Sequence, residues 1–166
     1  MLVDNAFRFI APHENTVKET YIAYPDGPGR MSIGFGNLSY VGEIIDYNEA
    51  VRRCKNYIQD DINYLEKEEW FKNLNDFKKI AVLDFAYQAG KWGLKFASLR
   101  SAIISKVIEK DDFKTGYEDS SRVENRWNMF QTISGPPVIQ FATMDSFWIL
   151  MIILSGIAFI VKKYVS

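Results

Sequence analysis

A single cysteine, Cys54, and a single histidine, His13, set the first limits on this 166-residue chain. One thiol cannot close a disulfide within the chain and supplies no cysteine-rich metal site. One imidazole excludes a multi-histidine zinc centre, and no metal or organic cofactor is otherwise implied. Nor is there a surplus of positive charge, because 20 Lys and Arg stand against 21 Asp and Glu, for a formal net charge of −1. That balance excludes nucleic acid as the main partner. The N-terminal MLVDNAFRFIAPHEN lacks the basic start, continuous apolar stretch and small-residue cleavage site of a secretion signal. Internal repeats and low-complexity tracts are also missing.

What is present suits one domain with room for one appendage. Hydrophobic residues make up 48% of the chain and aromatics 15%, enough to fill a core or line a sugar-binding cleft. The run FWILMIILSGIAFIV, Phe147 to Val161, is uncharged, with Asp145 before it and Lys162-Lys163 after it. As a helix it reaches only about 22 Å against a hydrocarbon core of about 30 Å. Snorkelling lysines and the trailing Tyr164-Val165 extend the effective span to about nineteen residues. A buried core helix is the alternative, but the run is apolar on all faces and follows a complete domain. A membrane anchor is therefore expected, with residues 147–163 in contact with lipid.

Ahead of that run, Leu2, Val3, Ala6, Phe7 and Ile10 recur at helical spacing, and Pro12 predicts that this first helix ends at Ala11. Thr20 to Gly36 reads as a hairpin, with TYIAY and MSIGFG as β-prone runs about a PDGPG turn. From Asp46 onward, Tyr47, Ala50, Val51, Cys54, Tyr57, Ile58, Ile62 and Leu65 follow spacings of three and four, the mark of a long helix. LNDFKKIAVLDFAYQAG predicts an apolar helix ending at Gly90. Further helices are expected over Ala97 to Ile108, Asp111 to Tyr117 and Ser121 to Thr132, before a glycine-proline break in SGPPVIQ. Cys54 is expected to be a buried structural thiol.

Cleaving a glycosidic bond usually takes two carboxyl groups, one donating a proton to the leaving oxygen and one activating or replacing water. Glu14 stands at a helix end, and Asp26 at a hairpin turn with Ser32 six positions on. A hydroxyl so placed can face the aspartate across the hairpin, and the pair can hold a water. Any one of the acidic residues could equally be a solvated surface charge, and aspartate is an ordinary turn residue.

AYPDGPGRMSIGFGN resembles the diagnostic hairpin of the phage-type lysozymes (muramidases, glycoside hydrolase family 24). Ala23, Tyr24, Asp26, Gly29, Ile33, Gly34, Phe35 and Gly36 follow the family pattern in order. IDYNEAVRRCKNYIQDDI is similar to the family's long connecting helix, FAYQAG to its buried helix, and SSRVENRWNMFQTISG to its closing arginine-containing helix. The resemblance covers roughly residues 2 to 135. It implies Glu14 as general acid, Asp26 as the carboxylate that orients or activates water, and Ser32 as the hydroxyl assisting it, in a hydrolase that usually inverts. A proton-donating Glu14 needs a raised pKa, most simply through partial burial.

The sequence departs from the pattern in four places. The Glu14-to-Asp26 interval is about three residues longer, which makes Glu19 a rival acid. Asn15 replaces a glycine, Ser32 a threonine, and Asn37 stands where a histidine is common. Tyr24, Phe35 and Gln88 are the expected substrate contacts, with Tyr87 and Trp92 as further aromatics. Arg122 and Arg126 are read as internal salt-bridge partners, and His13 as a surface residue that could perturb Glu14.

The resulting expectation is a mainly helical α+β protein of lysozyme-like fold, with a small N-terminal β-hairpin subdomain, a helical lobe and a C-terminal transmembrane helix. Residues 1–133 would form the catalytic domain, 134–145 a linker and 146–166 the anchor with its basic tail. Its partner would be bacterial peptidoglycan, cut between N-acetylmuramic acid and N-acetylglucosamine. The resemblance implies a phage lytic enzyme, held in a virion membrane beside other virion proteins or at the host inner membrane. A lytic transglycosylase on the same bond, and an inactive structural or wall-binding protein of the same fold, remain open.

Overall fold

The computed structural model describes residues 1–14, 21–116 and 118–132. These form a mainly helical α+β structure of six helices and one three-stranded sheet. The helices are α1 (Leu2–Glu14), α2 (Tyr47–Leu65), α3 (Glu69–Lys72), α4 (Asp76–Ala89), α5 (Leu94–Ser105) and α6 (Ser120–Gln131). A 3-10 turn (Lys110–Phe113) precedes α6. The strands β1 (Tyr24–Pro25), β2 (Met31–Ile33) and β3 (Asn37–Ser39) lie between α1 and α2.

Local chemistry explains where the main helices start. Asp46, Asn75 and Asp119 each sit just outside a helix in extended backbone and accept a hydrogen bond from an otherwise orphaned N–H three residues on. The donors are Glu49, Lys78 and Arg122, at 2.7, 3.0 and 2.9 Å. α4 is the centre of the lobe. Seven consecutive residues, Ile80 to Ala86, are buried, as expected for a helix with packing partners all round. α1, α2, α5 and α6 pack against it. Phe85, Phe96, Phe113 and Phe130 join these elements through ring contacts in one core.

The sheet is antiparallel in the order β1-β2-β3, with Tyr24 opposite Ser32 and Ser32 opposite Leu38. Directly opposed residues share a face, so Tyr24, Ser32 and Leu38 form one row across it. The link between β2 and β3 runs close against α2. Gly34 has φ +61°, and a Cβ there would come within 2.9 Å of the Ala50 Cβ.

Several boundaries differ from expectation. α1 runs through Pro12 to Glu14 rather than ending at Ala11. Proline this near a helix end removes a single N–H donor, while burial of Ala6 and Ile10 holds the rest of the helix. The hairpin acquires a third strand, and the short α3 is additional. α5 begins three residues early, after Gly93 in extended backbone, and ends three residues early where Lys106 takes a left-handed conformation, φ 59°. Asp111 and Asp112 lie in the 3-10 turn rather than in a full α-helix. The expected linker and apolar anchor lie outside the described residues. Among the described residues, no helix is long and apolar enough to cross a membrane.

Replacing Gly34 with alanine combines left-handed backbone strain with overpacking against Ala50. The fold should lose on the order of 2 kcal/mol, read as a lower midpoint in urea unfolding followed by circular dichroism.

Candidate active site

The last residue of α1, Glu14, is delivered to a charged cluster inside the helical lobe. The cluster is organised by Asp84, the one ionisable residue within the buried stretch of α4 and itself without exposed surface. Two arginines one turn apart on α6 converge on it. Arg122 donates from Nη2 to Asp84 Oδ1 at 2.7 Å and from Nε to Oδ2 at 3.2 Å. Arg126 donates from Nε to Oδ2. The same Arg122 Nη2 also donates to Glu14 Oε1 at 2.6 Å. Arg126 continues the network to the Phe113 carbonyl at 3.0 Å, to Gln88 Oε1 at 2.7 Å and to Glu118 at 3.4 Å. Thr115 bonds both Gln88 and Glu118.

Three carboxyl groups, Glu14, Asp84 and Glu118, thus face two guanidiniums. A proton on Glu14 would leave two charges of each sign. Burial pushes the Glu14 carboxyl above its ordinary value and outweighs the opposing pull of Arg122. Its other oxygen, Oε2, faces the sheet, 3.4 Å from where a Cβ on Gly36 would stand. Glycine at that position therefore lets the β2–β3 link lie close to the acid.

The turn between β1 and β2 presents Asp26. Ser32 Oγ donates to Asp26 Oδ2 at 2.7 Å, and Arg30 Nη2 donates to the same oxygen at 3.0 Å. The turn that holds them is closed by Asp26 N–H to the Arg30 carbonyl at 2.9 Å. Ser32 is buried, whereas the Asp26 side chain is open to solvent, and its Oδ1 accepts no hydrogen bond from the described residues. Tyr24, half-buried in the same row as Ser32, links the two acids electrostatically. Its hydroxyl is pushed up by burial first, then by the charges of Asp26 and Glu14.

Glu14, Tyr24, Asp26 and Ser32 are therefore brought to one region by α1 and the sheet. Two other expected contacts are placed differently. Phe35 is 4% exposed and packs edge-on to Phe7 and Tyr47. It is a core ring with no open face for a sugar, because the close approach of the β2–β3 link to α2 turns it inward. Gln88 Oε1 is occupied by Arg126 and Thr115, so its carbonyl braces the charged network instead of awaiting an acetamido group. Tyr87 likewise donates its hydroxyl to the Phe35 carbonyl at 2.7 Å. Trp92 is exposed and lies against Tyr64, lining a cavity of about 250 Å³ with Trp70 and Phe96, among residues that include neither Glu14 nor Asp26.

Burial lowers the pKa of the His13 imidazole below its ordinary value. It is half-buried beside Phe9 rather than fully at the surface. Cys54 is buried, and its thiol is pushed up to about 11. Asn15 and Glu19 lie outside the described residues. The residue that sequence reasoning missed is Asp84. Its signal was available as one carboxylate inside the apolar run IAVLDFA, a placement that requires a buried partner.

Because Arg122 draws the Glu14 value down, Arg122→Gln should move the Glu14 titration further up, read by carbon NMR of the side-chain carboxyl. The folded value lies above the ordinary 4.5. The neutral form therefore stabilises the fold below that pH, and the contribution is lost as pH rises through the raised value. Glu14→Gln should abolish that pH dependence. Arg126→Met, which leaves buried carboxyl groups undercompensated, should cost about 3–5 kcal/mol in urea unfolding. No known protein-family profile matches this sequence, and comparison with characterised proteins finds no match.

Proposed function

We propose that this chain is a peptidoglycan hydrolase of lysozyme-like fold that cleaves the bond between N-acetylmuramic acid and N-acetylglucosamine. The observation that carries the reading is the contrast between two carboxyl groups near one tyrosine. Glu14 is half-buried with a raised proton affinity, and Asp26 is solvent-open and braced by a serine hydroxyl. The resemblance of residues 2 to 135 to the phage-type lysozymes supplies the bond and the polymer.

In this mechanism Glu14 donates its proton to the leaving glycosidic oxygen as the bond to the anomeric carbon lengthens. Asp26, with Oδ2 fixed by Ser32 and Arg30, offers Oδ1 to a water that attacks that carbon and takes the water's proton. Arg122 has a double part. It fixes the Glu14 carboxyl and steadies the anion left after proton transfer, while its charge opposes the burial that raises the proton affinity. The apolar run 147–161 serves as a membrane anchor that holds the hydrolase beside the wall, in a virion membrane or at the host inner membrane.

A lytic transglycosylase is the second reading. The observation favouring it is that Arg30 holds Asp26 from outside, so the aspartate already has a partner of its own. That chemistry needs the acid alone and closes the muramic hydroxyl onto the anomeric carbon in place of water.

The deciding assay is release of soluble fragments from purified peptidoglycan by the full-length chain in detergent. Glu14→Gln should reduce release by about 100-fold or more while circular dichroism remains native. Activity of the native chain should fall as pH rises through the raised Glu14 value, because the acid form is the active one. Asp26→Asn should abolish release for the hydrolase. Retained activity with anhydro-muramic ends would select the transglycosylase. A folded native chain that releases nothing from several wall types would reject both.

A further inference from the structure

Beside the candidate site, the polar groups of the sheet are spent on holding up an apolar tip. β3 runs into a tight turn, Tyr40 to Glu43, closed by Glu43 N–H donating to the Tyr40 carbonyl at 3.2 Å. Beneath it the buried Glu43 carboxylate accepts from Ser39 Oγ at 2.7 Å and from Arg53 Nη2 at 2.6 Å. Arg53 is fixed in turn by Glu49 at 2.8 Å. The returning chain is stitched to the segment before β1 by Ala23 N–H to the Glu43 carbonyl at 2.9 Å and Ile45 N–H to the Tyr21 carbonyl at 2.8 Å.

A turn clamped by a buried ion pair and backbone bonds keeps its shape without help from its outward side chains. Those side chains are nevertheless apolar. Tyr40 is 67% exposed and Val41 80%, and Leu38, Ile44 and Ile22 are each more than half exposed around them. Exposed apolar residues scattered singly are ordinary, but a contiguous group on a rigid support marks an interaction surface.

We propose that this tip sits in the interfacial layer of a lipid bilayer, steadying the domain against the membrane that anchors it. The inference rests on the anchoring read from residues 147–161, and the length of chain outside the described domain supports it. From Thr132 to Phe147 the intervening 14 residues, 133–146, reach at most about 50 Å even fully extended. A domain on that leash cannot leave the bilayer's neighbourhood. The tip's chemistry fits that surface. A tyrosine ring is at home at headgroup level, and the aliphatic side chains can enter the acyl boundary. The single charge in residues 38–45 is Glu43, which is buried and paired below. Apolar insertion rather than attraction to anionic headgroups drives the contact, so it is insensitive to salt.

The test is an environment-sensitive fluorophore on Val41→Cys of the full-length chain, reconstituted into phosphatidylcholine liposomes. Position 41 is exposed, so the label does not disturb the core, and the buried Cys54 thiol stays unlabelled. A matching probe at Ser101→Cys, on the exposed side of α5, is the control. Emission from position 41 should move to the blue, fall when spin-labelled lipid is included in both leaflets, and resist added salt, while position 101 shows neither the shift nor the quenching. If the chain floats with the liposomes but position 41 reports water, the anchor stands and the tip contact is overturned. A blue shift without quenching by spin-labelled lipid would assign the tip to a second copy of the chain and also overturn it. Failure to float would remove both the anchor and the tip contact.

Discussion

Asp84 meets Arg122 and Arg126 where no water reaches, and the arrangement of the helical lobe depends on that meeting. A carboxylate without exposed surface is tolerated only when its charge and lone pairs are answered. Here two guanidiniums from one face of α6 answer them and thereby set the rotation of α6 on α4. The same arginines reach further, Arg122 to the end of α1 and Arg126 to the carbonyl of Phe113, the last residue of the 3-10 turn. Hydrophobic packing alone would let these elements slide, since one phenylalanine contact replaces another at little cost. The directional bonds at Asp84 select one register.

The candidate site is built on the edge of that node and inherits its electrostatics. Glu14 is the third carboxyl group around two cations, so its proton affinity is a contest between burial and Arg122. Burial prevails. Full exposure would lower that affinity, and loss of the arginine would raise it further. Asp26 belongs to a turn stabilised by its own short-range bonds. The two acids therefore have unlike surroundings, which is the condition for unlike roles.

Much of the fold was legible in the chain. The periodicity of α2 and the solid apolar run of α4 are local signals, and each operates within a few residues of itself. The hairpin was legible because proline and glycine in PDGPG restrict the backbone there, and the Ser32–Asp26 bond followed from their spacing across it. Where reading failed, the cause lay at a distance. Pro12 marks a helix end by local rules, yet burial of Ala6 and Ile10 carries α1 on to Glu14. Phe35 looked like a ring free for a sugar until α2 was packed against the β2–β3 link, and Gln88 looked free until Arg126 arrived from α6.

The sequence by itself determined that this is a mainly helical α+β domain, that Asp26 and Ser32 share a hairpin, and that Glu14 lies at or just past the end of the first helix. These follow from backbone preferences and spacing, which act along the chain. Only the tertiary structure decided the environment of Glu14. Arg122 lies 108 residues away in the chain and 2.6 Å away in space, and proton affinity depends on charges and solvent in space, to which the order of residues is blind.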